Sequence, residues 1–241
     1  LRQVREGSFW DHLEELRQRL FVVMGAVGLF TLVCFAFSRR LLEVVLSTGP
    51  GPLQTLSPYE ALTASLKLAL TAGLVLSSPV VLWHFWKFVS PGLLDHERKA
   101  AGISFFVSVL LFLAGAAFSL FVLLKPTLLL FRSFETGGIS GNWTLSNYVS
   151  FLGQFVLAFG ISFELPLLVL FFVWIGVVTP AQLGRYRKHV IVGLLVLGAI
   201  LPPNDPFTQL LMAIPLYLLY EASIIAARIM WRGRRETAVR G

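Results

Sequence analysis

A single carboxylate stands where the core of a bilayer would be. Glu164 lies near the middle of the apolar run Tyr148 to Trp174, and Glu135 is the only other charged residue between Arg132 and Arg185. Holding a carboxylate at that depth costs about 2.5–3.5 kcal/mol on insertion scales. A chain keeps such a group where it faces a cavity or a partner. The expectation is therefore a polytopic membrane protein that handles or docks something polar halfway across the membrane. Pro166 follows two residues later and cannot donate to the Ser162 carbonyl, so the helix should kink beside the carboxyl group. A protonated Glu164 can then donate to a freed carbonyl or to a partner. Equally, it can be a buried neutral group satisfied by Ser162 or Gln154.

Two more acidic groups flank apolar runs. In the N-terminal segment, Ser8 and Asp11 have the spacing of a capping box. Phe9, Leu13, Leu16 and Leu20 then share one helical face, and Asp11, Glu14 and Glu15 occupy the polar side. Further on, a Pro91-Gly92 turn is followed by Asp95 and Glu97. Two such clusters on one membrane face can form a carboxylate site for a cationic ligand. Guanidinium is the natural match, because its planar fork pairs bidentately with a carboxylate. The plainer alternative is a solvated face with Glu15 paired to Arg19 at i, i+4, and with Asp95 and Glu97 as dipole partners of the next helix. Catalysis finds no support. His12, His84, His96 and His189 show no metal-ligand spacing, no Gly-rich loop precedes a Lys, and no Ser–His pair suggests a nucleophile. No enzyme, no cofactor and no metal are expected.

The elements that must position these groups are membrane spans. Of 241 residues, 56% are hydrophobic and 14% charged, against about 25% charged in soluble domains. Cys34 is the one cysteine, so no intramolecular disulfide forms. The first apolar run begins only at Leu20 and no small-residue cleavage pattern follows it, so no leader peptide is read. The whole of 1–241 reads as one integral membrane domain with spans at about 20–37, 68–88, 100–124, 148–175, 189–202 and 207–227. Pro202, Pro203, Asn204, Asp205 and Pro206 separate the last two, which should be short spans around a tight turn, or a re-entrant hairpin. Pro79 and Pro215 should bend their spans. Ser38–Lys67 and Lys125–Asn147 read as sizeable outer loops. With the N-terminus inside, the inner face holds fifteen basic residues: Arg2, Arg5, Arg17, Arg19, Lys87, Arg98, Lys99, Arg185, Arg187, Lys188, Arg228, Arg232, Arg234, Arg235 and Arg240. The outer face holds five: Arg39, Arg40, Lys67, Lys125 and Arg132. That bias puts both termini in the cytoplasm. It also accounts for the net charge of +7 without nucleic-acid binding.

Five stretches together resemble TatC, the core-subunit family of the twin-arginine protein translocase. They are HLEELRQRL (His12–Leu20), LSPYEALTASLKLAL (Leu56–Leu70), PGLLDHERK (Pro91–Lys99), FGISFELPL (Phe159–Leu167) and PPNDPFTQLLMAIPLYLLYE (Pro202–Glu221). The resemblance implies an all-α, six-span, glove-shaped fold with short fifth and sixth spans. It implies a multi-pass protein of the plasma (inner) membrane that binds Arg-Arg signal peptides and helps export folded cargo on the proton gradient. It carries signal-peptide binding onto Glu15 and Glu97, within the clusters of Asp11, Glu14 and Asp95. Glu164 falls at the intramembrane glutamate that lines the concave face. Partners would be single-span proteins of the TatA and TatB type, docking on the last two spans near Gln209 and Asp205, in an oligomeric complex. Leu201 stands where the family often has Thr, and Asn204 is an extra residue before Asp205, which thins the polar cluster at that corner. The rival reading from the residues is a proton-coupled secondary transporter with Glu164 as proton carrier.

Overall fold

The computed structural model describes residues 9–49, 51–89, 98–135, 143–200 and 206–240. Among them, apart from one isolated bridge, the regular structure is helical. Helix α1 (Phe9–Ala36) carries the acidic segment straight into the first apolar run. Ser8, the expected cap, lies outside the described residues. A turn at Phe37 leads to α2 (Ser38–Ser47). Part of the expected first outer loop is thus helical. Arg39, Arg40 and Glu43 point outward while Leu41, Leu42 and Val45 pack on the bundle, an amphipathic pattern at helical spacing. The turn signals that suggested a loop fall after this helix, at Gly49 and Gly51.

Helix α3 (Glu60–Val89) begins two turns before the expected 68. Helix α4 (Arg98–Phe118) widens into a π turn over Ser119–Leu123 and continues as α5 (Leu124–Ser133). The second expected outer loop is therefore helical for its first third. Pro126 has no N–H for the Val122 carbonyl and its ring crowds that carbonyl; the wide turn just before it makes room. Helix α6 (Leu145–Ser162) stops at Phe163–Glu164, and α7 (Leu165–Trp174) restarts with Pro166 in its first turn. The expected break at Pro166 is thus present. Gly176, at φ 79, ends that segment. A capping box between Thr179 and Gln182 starts the short α8 (Pro180–Arg185), followed by α9 (Arg187–Ile200) and α10 (Pro206–Arg240).

Among the described residues, five stretches are long and apolar enough to cross a membrane, including Gly102–Ser133, Leu145–Trp174 and Gln209–Trp231. The fifth span is the short one. The 14 residues of α9 reach about 21 Å, against a hydrocarbon core of about 30 Å. Helix α10 passes through the expected 207–227 and runs on to Arg240, because nothing after Pro215 breaks it. Its apolar stretch, Gln209–Trp231, has 23 residues.

Helix α6 is central. It packs on α3 and α4, while α1 leans on α3 and α10 packs on α7 and α9. One core lies at the end of the bundle where α1 finishes, where Tyr148, Val149 and Leu152 of α6 meet Val45, Leu68 and Leu128. A second joins Phe155 and Phe159 to Leu194, Met212 and Leu216. That end is also stitched by polar bonds. Gln54 N donates to Trp143 O at 2.9 Å, and Leu145 N to Gln54 O at 3.0 Å. The buried Glu60 carboxylate accepts from the Leu56 N–H at 2.6 Å and the Ser146 N–H at 2.9 Å.

The α1–α3 seam depends on one glycine. A Cβ at Gly73 would lie 2.5 Å from Thr31 Oγ1 and 2.7 Å from Thr31 N. Gly73→Val is expected to force the helices apart and cost about 1–3 kcal/mol, read as a lower thermal midpoint in detergent. Gly25→Ala, on α1 with open space around it, should leave the midpoint unchanged or slightly raised.

Candidate functional site

Two places gather polar chemistry. The first is the N-terminal turn of α1. Glu14 accepts from Arg17 Nη1 at 3.2 Å and from Gln18 Nε2 at 3.3 Å. Glu15 Oε2 lies 3.2 Å from His12 Nδ1, and its Oε1 accepts from Arg19 Nη2. The i, i+4 pair read from the sequence is thus formed, and it is more than a surface pair. The Arg19 side chain is only 13% exposed, and its guanidinium lies 5.7 Å over the Phe88 ring. The His12 ring packs on the same phenyl at 5.5 Å. Helix α3 ends one residue later, at Val89. Glu15 therefore belongs to a site built from a carboxylate and an aromatic face, which already holds one guanidinium. Asp11 lies on the same helix. Asp95 and Glu97 fall outside the described residues.

The second place is an open-sided cavity of about 400 Å³ lined by α3, α4, α6 and α7. Its walls are apolar, with Leu74 and Leu82 of α3 facing Phe112, Ile161 and Leu168. Glu164 stands in this wall because the chain turns between α6 and α7 at that residue. Its Oε2 accepts a hydrogen bond from Ser108 Oγ of α4 at 2.6 Å. The partner is therefore Ser108, and neither Ser162 nor Gln154. Oε1 is buried and finds no partner among the described residues. Two other polar groups of the same wall are also buried and unpartnered: Ser78 Oγ, on a residue 3% exposed, and Trp86 Nε1, on one 4% exposed. Leaving such groups unpaired costs about 1–3 kcal/mol each. One carboxyl oxygen, one hydroxyl and one N–H can together hold a hydrogen-bonding group that arrives inside an otherwise greasy chamber.

At the α9–α10 pair, Gln209 Nε2 donates to the Leu195 carbonyl at 2.7 Å. Its amide donor is thus spent inside the chain, holding α10 to α9. Asp205 is outside the described residues. An apolar groove of about 260 Å³ runs between the two helices, with Ile191, Leu195, Leu210 and Ile214 in its walls. At the other end of the pair, Glu221 accepts from Arg187 Nη2 and from Tyr217 Oη, each at 2.8 Å. Tyr220 Oη donates to Leu183 O at 2.9 Å. This clasp was not read from the sequence, although an acid closing the last apolar run, opposite a basic loop, was the available signal. Ser78, Trp86 and Ser108 gave no signal, since hydroxyls and indoles are ordinary in apolar helices.

The family described as Sec-independent protein translocase protein (TatC) matches this chain over residues 11–215. A TatC of that description from Aquifex aeolicus (strain VF5) is 39% identical over 233 residues, covering 94% of this chain and 97% of the relative. Another from Helicobacter pylori (strain J99) is 37% identical over 219 residues, covering 91% and 88%. The fold resembles a crystal structure of the twin-arginine translocase receptor TatC with a TM-score of 0.80 and 40% identity, over 90% of this chain and 98% of that one. Apolar spans, an intramembrane glutamate beside a broken helix, and a match along nearly the full length agree: this multi-pass membrane protein belongs to the TatC family.

Proposed function

We propose that the chain is the receptor and core subunit of a twin-arginine translocase. It captures Arg-Arg signal peptides at the cytoplasmic face of the plasma (inner) membrane, and it carries out no covalent catalysis. Both termini lie in the cytoplasm, where fifteen of the twenty basic residues then fall. The observation that supports this best is the semi-buried guanidinium of Arg19 on Glu15 and Phe88. A carboxylate beside an aromatic face is the chemistry an arginine needs. Glu97, from the segment that follows α3, supplies the second carboxylate, and Asp11, Glu14 and Asp95 add negative potential around it. The apolar part of the signal peptide then lies toward the Glu164 cavity, where it meets a hydrogen-bonding wall. TatA- and TatB-type single-span partners dock on the apolar α9–α10 groove. Gln209 shapes that groove by tying the two helices together, and Asp205 stands at its polar corner. The cargo crosses on the proton gradient, near a span whose shortness thins the bilayer at a cost of fractions of a kcal/mol per Å.

Two charge-assisted pairs at about 1.5–3 kcal/mol each set the expected effect. A Glu15→Gln, Glu97→Gln double variant should still insert. Its photo-crosslinking to an Arg-Arg signal peptide should fall by more than about a hundredfold, and a Lys-Lys peptide should bind the native chain more weakly than Arg-Arg because it lacks the fork. Full crosslinking by the double variant would refute the site.

Glu164→Gln separates this function from a proton carrier. Gln still accepts from Ser108, so export of a folded reporter should be reduced and not abolished. Complete loss in Glu164→Gln, together with small-molecule flux through the native chain alone, would favour the transporter.

A further inference from the structure

We propose that the end of the bundle where α1 finishes carries a binding site for an anionic phospholipid. A second cavity, of about 440 Å³, opens there between the end of α2 and the helix that passes through the π turn into α5. Leu124 and Leu128 form its floor, Gly49 its wall, and Lys125 and Arg132 its rim. Phe121, on the π turn, is 82% exposed beside it. The apolar helix Gly102–Ser133 has 32 residues and so runs about 48 Å, longer than the hydrocarbon core of about 30 Å. Its last turns therefore reach headgroup level. With the N-terminus cytoplasmic, this is the outer leaflet.

The two cations are free to take an anion. Lys125 and Arg132 make no hydrogen bond or ion pair with a side chain among the described residues. Glu135, three residues past Arg132, accepts from Trp143 Nε1 at 3.0 Å. Arg132 is also steered: a Cβ on Gly51, whose φ is 125°, would lie 3.0 Å from Nη2, so the guanidinium rests against the loop after α2. Lys125 sits two turns deeper, and its long stem lets the ammonium rise toward that level. A phosphate between the two cations, with its hydrocarbon chains laid along Phe121 and Leu129, meets both the charge and the apolar floor. Free phosphate meets only the charge, and a zwitterionic lipid leaves the cations poorly neutralised.

The test uses the delipidated full chain in detergent, with bound lipid counted by native mass spectrometry. The probes are phosphatidylglycerol, phosphatidylcholine of the same chains, and inorganic phosphate. Phosphatidylglycerol should bind about tenfold tighter than phosphatidylcholine, and inorganic phosphate should not bind measurably. Lys125→Gln with Arg132→Gln should remove that preference, whereas Arg39→Gln with Arg40→Gln, charges on the same face outside the cavity, should keep it. The proposal falls if the two lipids bind equally or if phosphate alone competes with phosphatidylglycerol. It also falls if the Arg39, Arg40 pair costs as much as the Lys125, Arg132 pair. Should the double variant not fold, Lys125→Gln alone is judged by the same criteria.

Discussion

A polar group inside hydrocarbon has to be satisfied by the protein itself, and most of this bundle can be understood as a solution to that constraint. Ser119, Thr127 and Ser223 turn back onto carbonyls of their own helices at 2.7, 2.8 and 2.6 Å. Gln209 reaches across to Leu195, and Glu221 is held by Arg187 and Tyr217. Against that background, the unspent capacity is not spread evenly. Glu164 Oε1, Ser78 Oγ and Trp86 Nε1 line one cavity. Arg19 Nη1 and His84 Nδ1 are unpartnered on the two helices that meet at Phe88. Thr31 and Ser57 are isolated cases on separate elements, and Arg187 Nε, 2.7 Å from Glu221 Oε1 without an aligned hydrogen bond, is a third. Hydrogen-bonding potential left open at a real energetic cost is concentrated at the two places where the proposed function brings the signal peptide.

What could be read from the sequence follows from the same physics. Apolar runs bounded by charges mark helices long and apolar enough to cross a membrane, because length and hydropathy decide insertion with little help from tertiary contacts. Glu164 announced itself because a lone carboxylate in such a run has few explanations. Helices α2 and α5 are hidden in the sequence because Arg39, Arg40 and Lys125 interrupt the apolar pattern and Gly49, Pro50 and Gly51, or Gly137 and Gly138, follow close behind. Helices whose apolar side is interrupted by charge need tertiary packing, here of Val45 of α2 and Leu128 of α5 in one core with Tyr148 of α6, and a single sequence does not display it. Ser108 escaped for a related reason. Its bond to Glu164 joins residues 56 apart, and nothing local distinguishes it from Ser104. The role of Gln209 was legible as a polar spot on the last span, but its direction was not.

The bundle is also unevenly braced. Around α6, glycines bring backbones together: a Cβ on Gly115 would stand 2.5 Å from the Phe159 carbonyl oxygen. There, and at Glu60, the chain is fixed by contacts that tolerate little movement. Helices α9 and α10 are attached differently. They hold to each other through Gln209 at one end and the Arg187–Glu221–Tyr217 clasp at the other, and to the remainder through α7 and a largely apolar contact. A hairpin fastened at both ends but greasy along its length can accept a partner helix without losing its own register.

The occupancy of Glu15 bears on why a pair of arginines should be read rather than one. Arg19 already fills the carboxylate with a guanidinium, stacked on Phe88 and largely removed from water. A single incoming arginine that displaced it would exchange like for like and leave Arg19 buried without its counter-charge, a net loss in a medium of low dielectric. On the proposed function, a second arginine changes the balance if a second carboxylate receives it, the role proposed for Glu97. The proposed selectivity then rests on competition with the chain's own side chain: one guanidinium, or several lysines without the planar fork, only replaces the internal pair, whereas two adjacent forks add a second pair.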